Sequence, residues 1–375
     1  MTQCPTSVPT FTGRKEALET LKKFFLEEET ISSHPGGFED EDESNSQQGS
    51  VKIFLLYGLG GAGKTQLALE FKKRFKKRFT RIFYIHANTV EYIQGSYWDI
   101  ATTMESKVVQ NWQIGLHLLE ATEENWLLII NNADDPGLSL DTYIPSCDHG
   151  NIIITSRNPE LQSLADDSLE LQDMTSDEGT QLLIKHAFDR RKQVIELQEK
   201  EKAAEIAKEL YYFPLALVQA GAYINRQKCL NDYLDRLHNQ RKELLEKNIT
   251  QSRDKYHLSV YATWNLSWNK LSDRGKKLLE IFSHLHFERI PRVLFERAAN
   301  NFHNNHYPSW QVGVTKEGKD IMDILLLSNS QWSNIIFDDI ISEILSYSLV
   351  YIHDDAALYT LHPLVHQWLI DSLNE

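Results

Sequence analysis

Three observations predict an α/β fold with a parallel sheet, followed by a helical domain and a winged-helix domain. Between residues 51 and 171, near-continuous apolar runs alternate with helical stretches, as in strands covered on both faces. The first run leads into Gly58-Leu59-Gly60-Gly61-Ala62-Gly63-Lys64-Thr65, a full G-x-x-x-x-G-K-[ST] loop set between a strand and a helix. From Ser176 the pattern turns helical and stays so until two short strand-like runs near the end.

In chain order, residues 1–10 read as a tail. Phe11-Thr12-Gly13-Arg14 then leads into a helix ending near residue 26. Residues 27–50 are a polar break with Pro35-Gly36-Gly37 and an acidic run, Glu39 to Glu43, and are read as a solvated loop. Strands are expected at 51–57, 81–86, 126–130 and 151–155, and a helix from Gln66 onward. These elements make an α/β domain of residues 11–171. Four helices follow in a domain of residues 172–250, the first starting at Ser176-Asp177-Glu178. Residues 251–375 hold further helices and strand-like runs at 348–352 and 357–361, with a hairpin turn at His353-Asp354-Asp355-Ala356. A closing helix begins near Pro363, a residue suited to a first helical turn. Helices followed by a two-stranded wing describe a winged helix. No repeat of 20–50 residues is present.

Composition narrows the function classes. The chain has 375 residues, 41% of them hydrophobic, enough for two or three domains with real cores. No apolar run reaches the length of a membrane span, and the first residues have neither the basic nor the apolar part of a signal peptide. Cys4, Cys147 and Cys229 are few and unclustered, which argues against a disulfide framework or a zinc site and fits a reducing, cytoplasmic compartment. The net charge of −14 disfavours a general affinity for nucleic acid. The basic run Lys72 to Arg78 ends the helix after the loop, where cations complement the negative helix end; that reading outweighs a nucleic-acid or lipid patch.

The chemistry centres on the loop. Its glycines let successive N–H groups turn onto a phosphate, and the helix start adds a positive dipole end. Gly58, Gly60, Gly61, Ala62, Gly63, Lys64, Thr65 and Gln66 are the candidate nucleotide-binding residues here. Lys64 would reach the outer phosphates and the Thr65 hydroxyl would ligate magnesium. A second acidic element is expected at the end of a buried strand, yet Asn131 and Asn132 follow the run 127–130. A neutral amide carries no charge to a metal and cannot act as a general base, so binding is favoured over fast hydrolysis. Asp134 and Asp135 lie beyond the strand end by simple register. Thr155-Ser156-Arg157 ends the fourth strand, where Arg157 could read a terminal phosphate or lie on the surface. Pro214 opens a helix after Tyr212-Phe213, which by itself is ordinary helix punctuation. His362 and His366 stand four apart without the Glu of a zinc hydrolase, and His284, His286, His303 and His306 lack carboxylate or Cys partners. All six are read as structural or surface residues.

Taken in order, these residues resemble the NB-ARC family of signal-transduction NTPases, and in particular the nucleotide-binding core of fungal NLR-like proteins. The resemblance runs from about Phe11 to Glu375. Phe11-Thr12-Gly13-Arg14 looks like the family's opening motif, in which Thr12 and Arg14 would border the adenine. Residues 58–65 look like its phosphate loop and 126–135 like the fungal form of its magnesium strand. Thr155-Ser156-Arg157 resembles the phosphate sensor, Phe213-Pro214-Leu215-Ala216-Leu217 the G-L-P-L motif, and Leu361-His362-Pro363-Leu364 the winged-helix motif whose His contacts a diphosphate. Tyr261 to Ser267 resembles the winged-helix opening of fungal members. The resemblance implies an adenine-nucleotide switch. ADP would be clamped by the loop, Pro214 and His362 in a closed form, and exchange to ATP would trade the His362 contact for one with Arg157. It implies ADP or ATP with Mg2+ as cofactors, and homo- or hetero-oligomers with related switch proteins. The family usually has Asp where Asn131 stands, which puts hydrolysis and magnesium binding in question. Members usually carry effector and sensor domains, so this chain reads as a switch core.

Three other readings stay open. An active Mg-dependent ATPase would show steady turnover lost with Lys64. A winged-helix DNA-binding regulator is opposed by 10 Lys/Arg against 14 Asp/Glu from Lys255 to Glu375. A degenerate fragment would bind nucleotide tightly and signal nothing, or act by joining full-length relatives.

Overall fold

The computed structural model describes residues 4–27, 51–105, 111–188, 194–246, 259–303, 332–353 and 357–373. The acidic run, His306 and most of the expected 353–356 turn lie outside the described residues, as does the boundary drawn at 250. Packing separates the chain into two units. The first is Met1–Tyr57, Lys64–Ser156 and Glu160–Leu171; the second is Gly58–Gly63, Arg157–Pro159 and Gln172–Glu375.

The first unit is built on a parallel sheet of five strands: β1 (Lys52–Tyr57), β2 (Arg81–His86), β3 (Trp126–Asn131), β4 (Asn151–Thr155) and β5 (Asp167–Glu170). Their spatial order is β2-β3-β4-β1-β5. The four expected strands form within a residue of their predicted limits. All six residues of β3 and all five of β4 are buried, because both faces carry helices and such strands need apolar side chains on each side. The fifth strand was not foreseen. It sits at the sheet edge, needs burial on fewer sides, and so carries only Leu169 among its apolar residues.

Helices α1 (Lys15–Leu26), α2 (Lys64–Phe75), α3 (Val90–Glu105) and α4 (Gln113–Glu120) complete this unit. Phe25, Phe54, Phe71, Phe75 and Phe79 join α1, β1 and α2 through ring contacts of 5.0–6.2 Å. The residues read as a tail are tied down from Cys4 onward. Lys72 Nζ donates to the carbonyls of Cys4 (3.2 Å) and Pro5 (3.0 Å), and Ser7 Oγ donates to Glu70 (2.6 Å). The same contacts account for half of the basic run. Lys72 holds the N-terminal segment, while Lys73 and Arg74 pair with the buried Glu70.

The second unit starts with α5 (Ser176–Ala187), α6 (Leu197–Glu209), α7 (Pro214–Gln227), α8 (Tyr233–Asn239) and α9 (Arg241–Glu246), five helices where four were expected. Next come α10 (Val260–Trp268), α11 (Asp273–Ser283), β6 (Ile290–Pro291), α12 (Arg292–His303), α13 (Asn334–Leu345), β7 (Tyr351–His353), β8 (Leu358–Thr360) and α14 (Pro363–Leu373). Hydroxyls start four of them: Thr175, Ser259, Ser272 and Ser333 each accept from the N–H three residues on. The expected hairpin is present as β7 and β8, antiparallel. A third strand, β6, pairs with β8 and gives the order β6-β8-β7. At two residues, β6 is too short to show periodicity. The core gathers Phe213, Tyr261, Trp264 and Trp368 at one end and Phe282, Phe295, Phe337 and Tyr359 at the other.

Candidate functional site

In the first unit, parallel register aligns Leu56, Thr155 and Asn131 across β1, β4 and β3, at the carboxyl ends of the strands. Open α/β sheets place their ligands at that edge, where the strand order reverses. Thr65, the second residue of α2, donates its hydroxyl to Asn131 Oδ1 at 2.6 Å, and Thr155 Oγ1 donates to the same oxygen at 3.0 Å. Asn131 therefore stands where a carboxylate was expected and makes the contact a carboxylate would make, without its charge. Asn132 takes a left-handed conformation (φ 66°) and donates its N–H to Thr155 Oγ1 at 3.0 Å. Asp134 and Asp135 do lie past the strand end. Asp134 is buried, and Asp135 Oδ1 accepts from the Gly137 N–H at 3.0 Å.

Three other expected residues sit near the N-terminus of this unit. Thr12 is buried, its hydroxyl donating to the Thr10 carbonyl at 2.8 Å. Arg14 has φ 59° and caps the start of α1. Gln66 Oε1 accepts from the Val8 N–H at 3.0 Å, so its side chain anchors the N-terminal segment to α2.

The second unit holds the turn of the phosphate loop. Gly58, Gly61 and Gly63 have φ of 127°, 99° and 99°, which side chains rarely adopt. A Cβ on Gly61 would lie 3.0 Å from both Phe213 and Leu215, so the residues flanking Pro214 press against the loop. Around Gly63 no atom lies within 4 Å of a Cβ position, which leaves an open cradle just before Lys64. Pro214 is the first residue of α7, and the buried Phe213 ring packs on Trp264 (5.7 Å) and on the His362 ring (5.2 Å).

His362 is buried. Its Nδ1 accepts from the Leu364 N–H at 3.1 Å, which puts the ring proton on Nε2, facing Asp173 Oδ2 at 3.1 Å. The His expected to meet a diphosphate thus has a carboxylate partner within its own unit, and Asp173 was missed because it lies 189 residues away in sequence. His366, read as structural, points Nε2 at the Leu285 carbonyl at 2.9 Å. Arg157 donates through Nη1 to the Thr263 carbonyl at 3.3 Å and to Ser267 Oγ, so it is not a loose surface residue. An open polar hollow of about 490 Å³ lined by His238, Arg241, Lys242, Gln367 and Asp371 shares none of these residues. Its cations are engaged, Arg241 with Glu209 at 2.8 Å and Lys242 with the Asp371 carbonyl at 3.0 Å.

In the second unit the positive-φ glycines and the open space at Gly63 fit a bound phosphate chain; in the first, Lys64 is buried. They also fit a magnesium ion carried in by such a chain. Thr65 directs its proton to Asn131, which leaves the oxygen lone pairs as the function offered to a cation. Among the described residues no cluster of three or more His, Cys, Asp or Glu is placed to hold a metal by itself.

No family model matches the chain. Over 206 residues it is 29% identical to a nucleotide-binding leucine-rich repeat (NLR)-like protein of Hyaloscypha variabilis, covering 48% of this chain and 20% of that relative. Over that stretch the chain is similar to the nucleotide-binding NLR-like relative. The NLR-like relative is thus spanned over one fifth of its own length. Solved structures overlap more loosely. A STAND protein with a tetratricopeptide repeat sensor from Pyrococcus horikoshii has 14% identity and TM-score 0.38, covering 98% of this chain and 43% of that one. The ORC2 protein of Aeropyrum pernix, solved as ADPNP and ADP complexes, has 14% identity and TM-score 0.48, covering 98% and 97%. At these TM-scores neither overlap bears on what this chain does. Among the described residues, no helix is long and apolar enough to cross a membrane.

Proposed function

We propose that the chain is an adenine-nucleotide switch core, closed with ADP and open with ATP, whose hydrolysis is weak or absent. The observation that carries this reading is the Thr65–Asn131 hydrogen bond at 2.6 Å. It puts an uncharged amide in contact with the hydroxyl of a complete phosphate loop. The amide can orient Thr65, but it has no charge to hold a metal tightly and no basicity to take a proton from water. Binding is retained and turnover is not. Bound Mg2+ would neutralise phosphate charge, with Thr65 as its protein ligand.

In this reading Gly58, Gly60, Gly61, Ala62 and Gly63 wrap the phosphates, Lys64 neutralises them, and Thr12 and Arg14 border the adenine. Pro214 sets the wall that presses on Gly61. His362 stabilises the closed form and Arg157 reads a terminal phosphate. A ligand shifts such an equilibrium only by its differential contacts with the two forms, and these two side chains supply the difference. We assign residues 11–171 to the nucleotide-binding domain, 172–250 to a helical domain and 251–375 to a winged helix. A cytoplasmic location and assembly with itself or with related switch proteins belong to the same proposal.

Lys64→Ala tests it. Titration with a fluorescent ADP analogue should show affinity reduced at least about thirtyfold, since truncating a buried charge partner costs about 2–5 kcal/mol. Unchanged affinity would end the proposal.

A further inference from the structure

Arg157 occupies a seat built from three sides of the second unit. Its Nη1 donates to the Thr263 carbonyl at 3.3 Å and to Ser267 Oγ, four residues apart on α10 and so on one helix face. Its own carbonyl accepts from Ser348 Oγ. Ser348 is 5% exposed and has φ 52°, an uncommon conformation held in the turn after α13. A Cβ on Gly60 would lie 2.9 Å from Arg157 Cζ and 3.0 Å from Thr263 Cγ2, so the guanidinium rests on the phosphate loop itself. Ser267 is 2% exposed, and a charge-assisted hydrogen bond away from water is among the stronger polar contacts available to a protein.

We propose that Ser267 and the Thr263 carbonyl form a latch that holds the Arg157 guanidinium in competition with a terminal phosphate, so that these α10 groups set the preference between ADP and ATP. Ser348 is a second positioning residue, fixing the Arg157 backbone so that the side chain reaches α10. The inference rests on the nucleotide reading above and adds to it the opposing partner of the phosphate sensor. ADP leaves the latch made. ATP engages Arg157 only after the bonds to α10 are exchanged for bonds to the third phosphate, and that exchange lowers the observed ATP affinity.

The test is titration of the full chain with ATP and with ADP, for the native protein and for Ser267→Ala. The latch predicts that ATP binds about tenfold tighter in Ser267→Ala while ADP stays within about twofold, the size expected for one hydrogen bond to a charged group. Ser267→Thr keeps the hydroxyl and should keep the native ratio. Arg157→Ala should weaken ATP and make Ser267→Ala without effect in the double variant. An unchanged ATP/ADP ratio in folded Ser267→Ala, or a parallel loss for both nucleotides, overturns the latch while the nucleotide reading stands. A native chain that binds neither nucleotide overturns both.

Discussion

The two units treat their site residues differently. In the first, Thr65, Asn131 and Thr155 bond to one another in a compact neutral cluster at the strand ends. In the second, two candidates already have protein partners: Arg157 has Thr263 and Ser267, and His362 has Asp173. A side chain already bonded to a protein partner must change partners to meet a ligand. In the proposed switch this difference would separate two tasks, binding by the neutral cluster and reporting by the side chains that change partners.

The largest expected effect breaks the loop that both tasks share. Gly61→Ala forces a Cβ into a φ of 99° and against Phe213 and Leu215 at 3.0 Å. It should cost about 3 kcal/mol in chemical denaturation. A change below about 1 kcal/mol would mean that the loop is not held as described. Next, His362→Ala removes one partner of the Asp173 carboxylate and that of the Leu364 N–H, and should lower stability by about 1–2 kcal/mol. No change in the unfolding midpoint would mean that the His362 contacts to Asp173 and Leu364 contribute nothing to the fold.

Asn131→Asp sharpens the binding side. Restoring charge beside Thr65 should raise magnesium-dependent ATP turnover at least about tenfold, about 1.4 kcal/mol in barrier. Flat turnover at every magnesium concentration would mean that the amide is not what limits the chemistry. The smallest effect is a pH dependence outside either site. Burial works to raise the Glu70 carboxyl, but hydrogen bonds from Ser7, Arg74 and Lys73 together hold it below its ordinary range. A lowered carboxyl adds stability above its unfolded value, near pH 4.5, and loses it as pH falls through the folded value. Glu70→Gln should therefore cost under about 1 kcal/mol at pH 7 and nothing at the lowest pH where the fold survives. An equal cost at both would assign the effect to packing.

Much of the binding side was legible in the sequence because its signals are local. The phosphate loop is contiguous, and β1 to β4 are runs of apolar residues that only a doubly covered strand tolerates. The sequence placed Asn131 just after its strand; the structure makes it the last residue of β3, opposite Thr155. The reporting side was legible in its residues but not in their partners. Arg157 and Ser267 are 110 residues apart, and His362 and Asp173 are 189 apart. No periodicity links a serine on one helix with an arginine after a distant strand. The edge strand β5 and the two-residue β6 escaped for a simpler reason: neither needs an apolar run.

The most direct measurement is to denature the purified protein and separate whatever nucleotide it releases by chromatography. A stoichiometric adenine nucleotide is the predicted result, ADP from a closed switch or ATP from a core that binds without hydrolysing. A chain that releases none, and takes up none from millimolar ATP or ADP, would contradict the account.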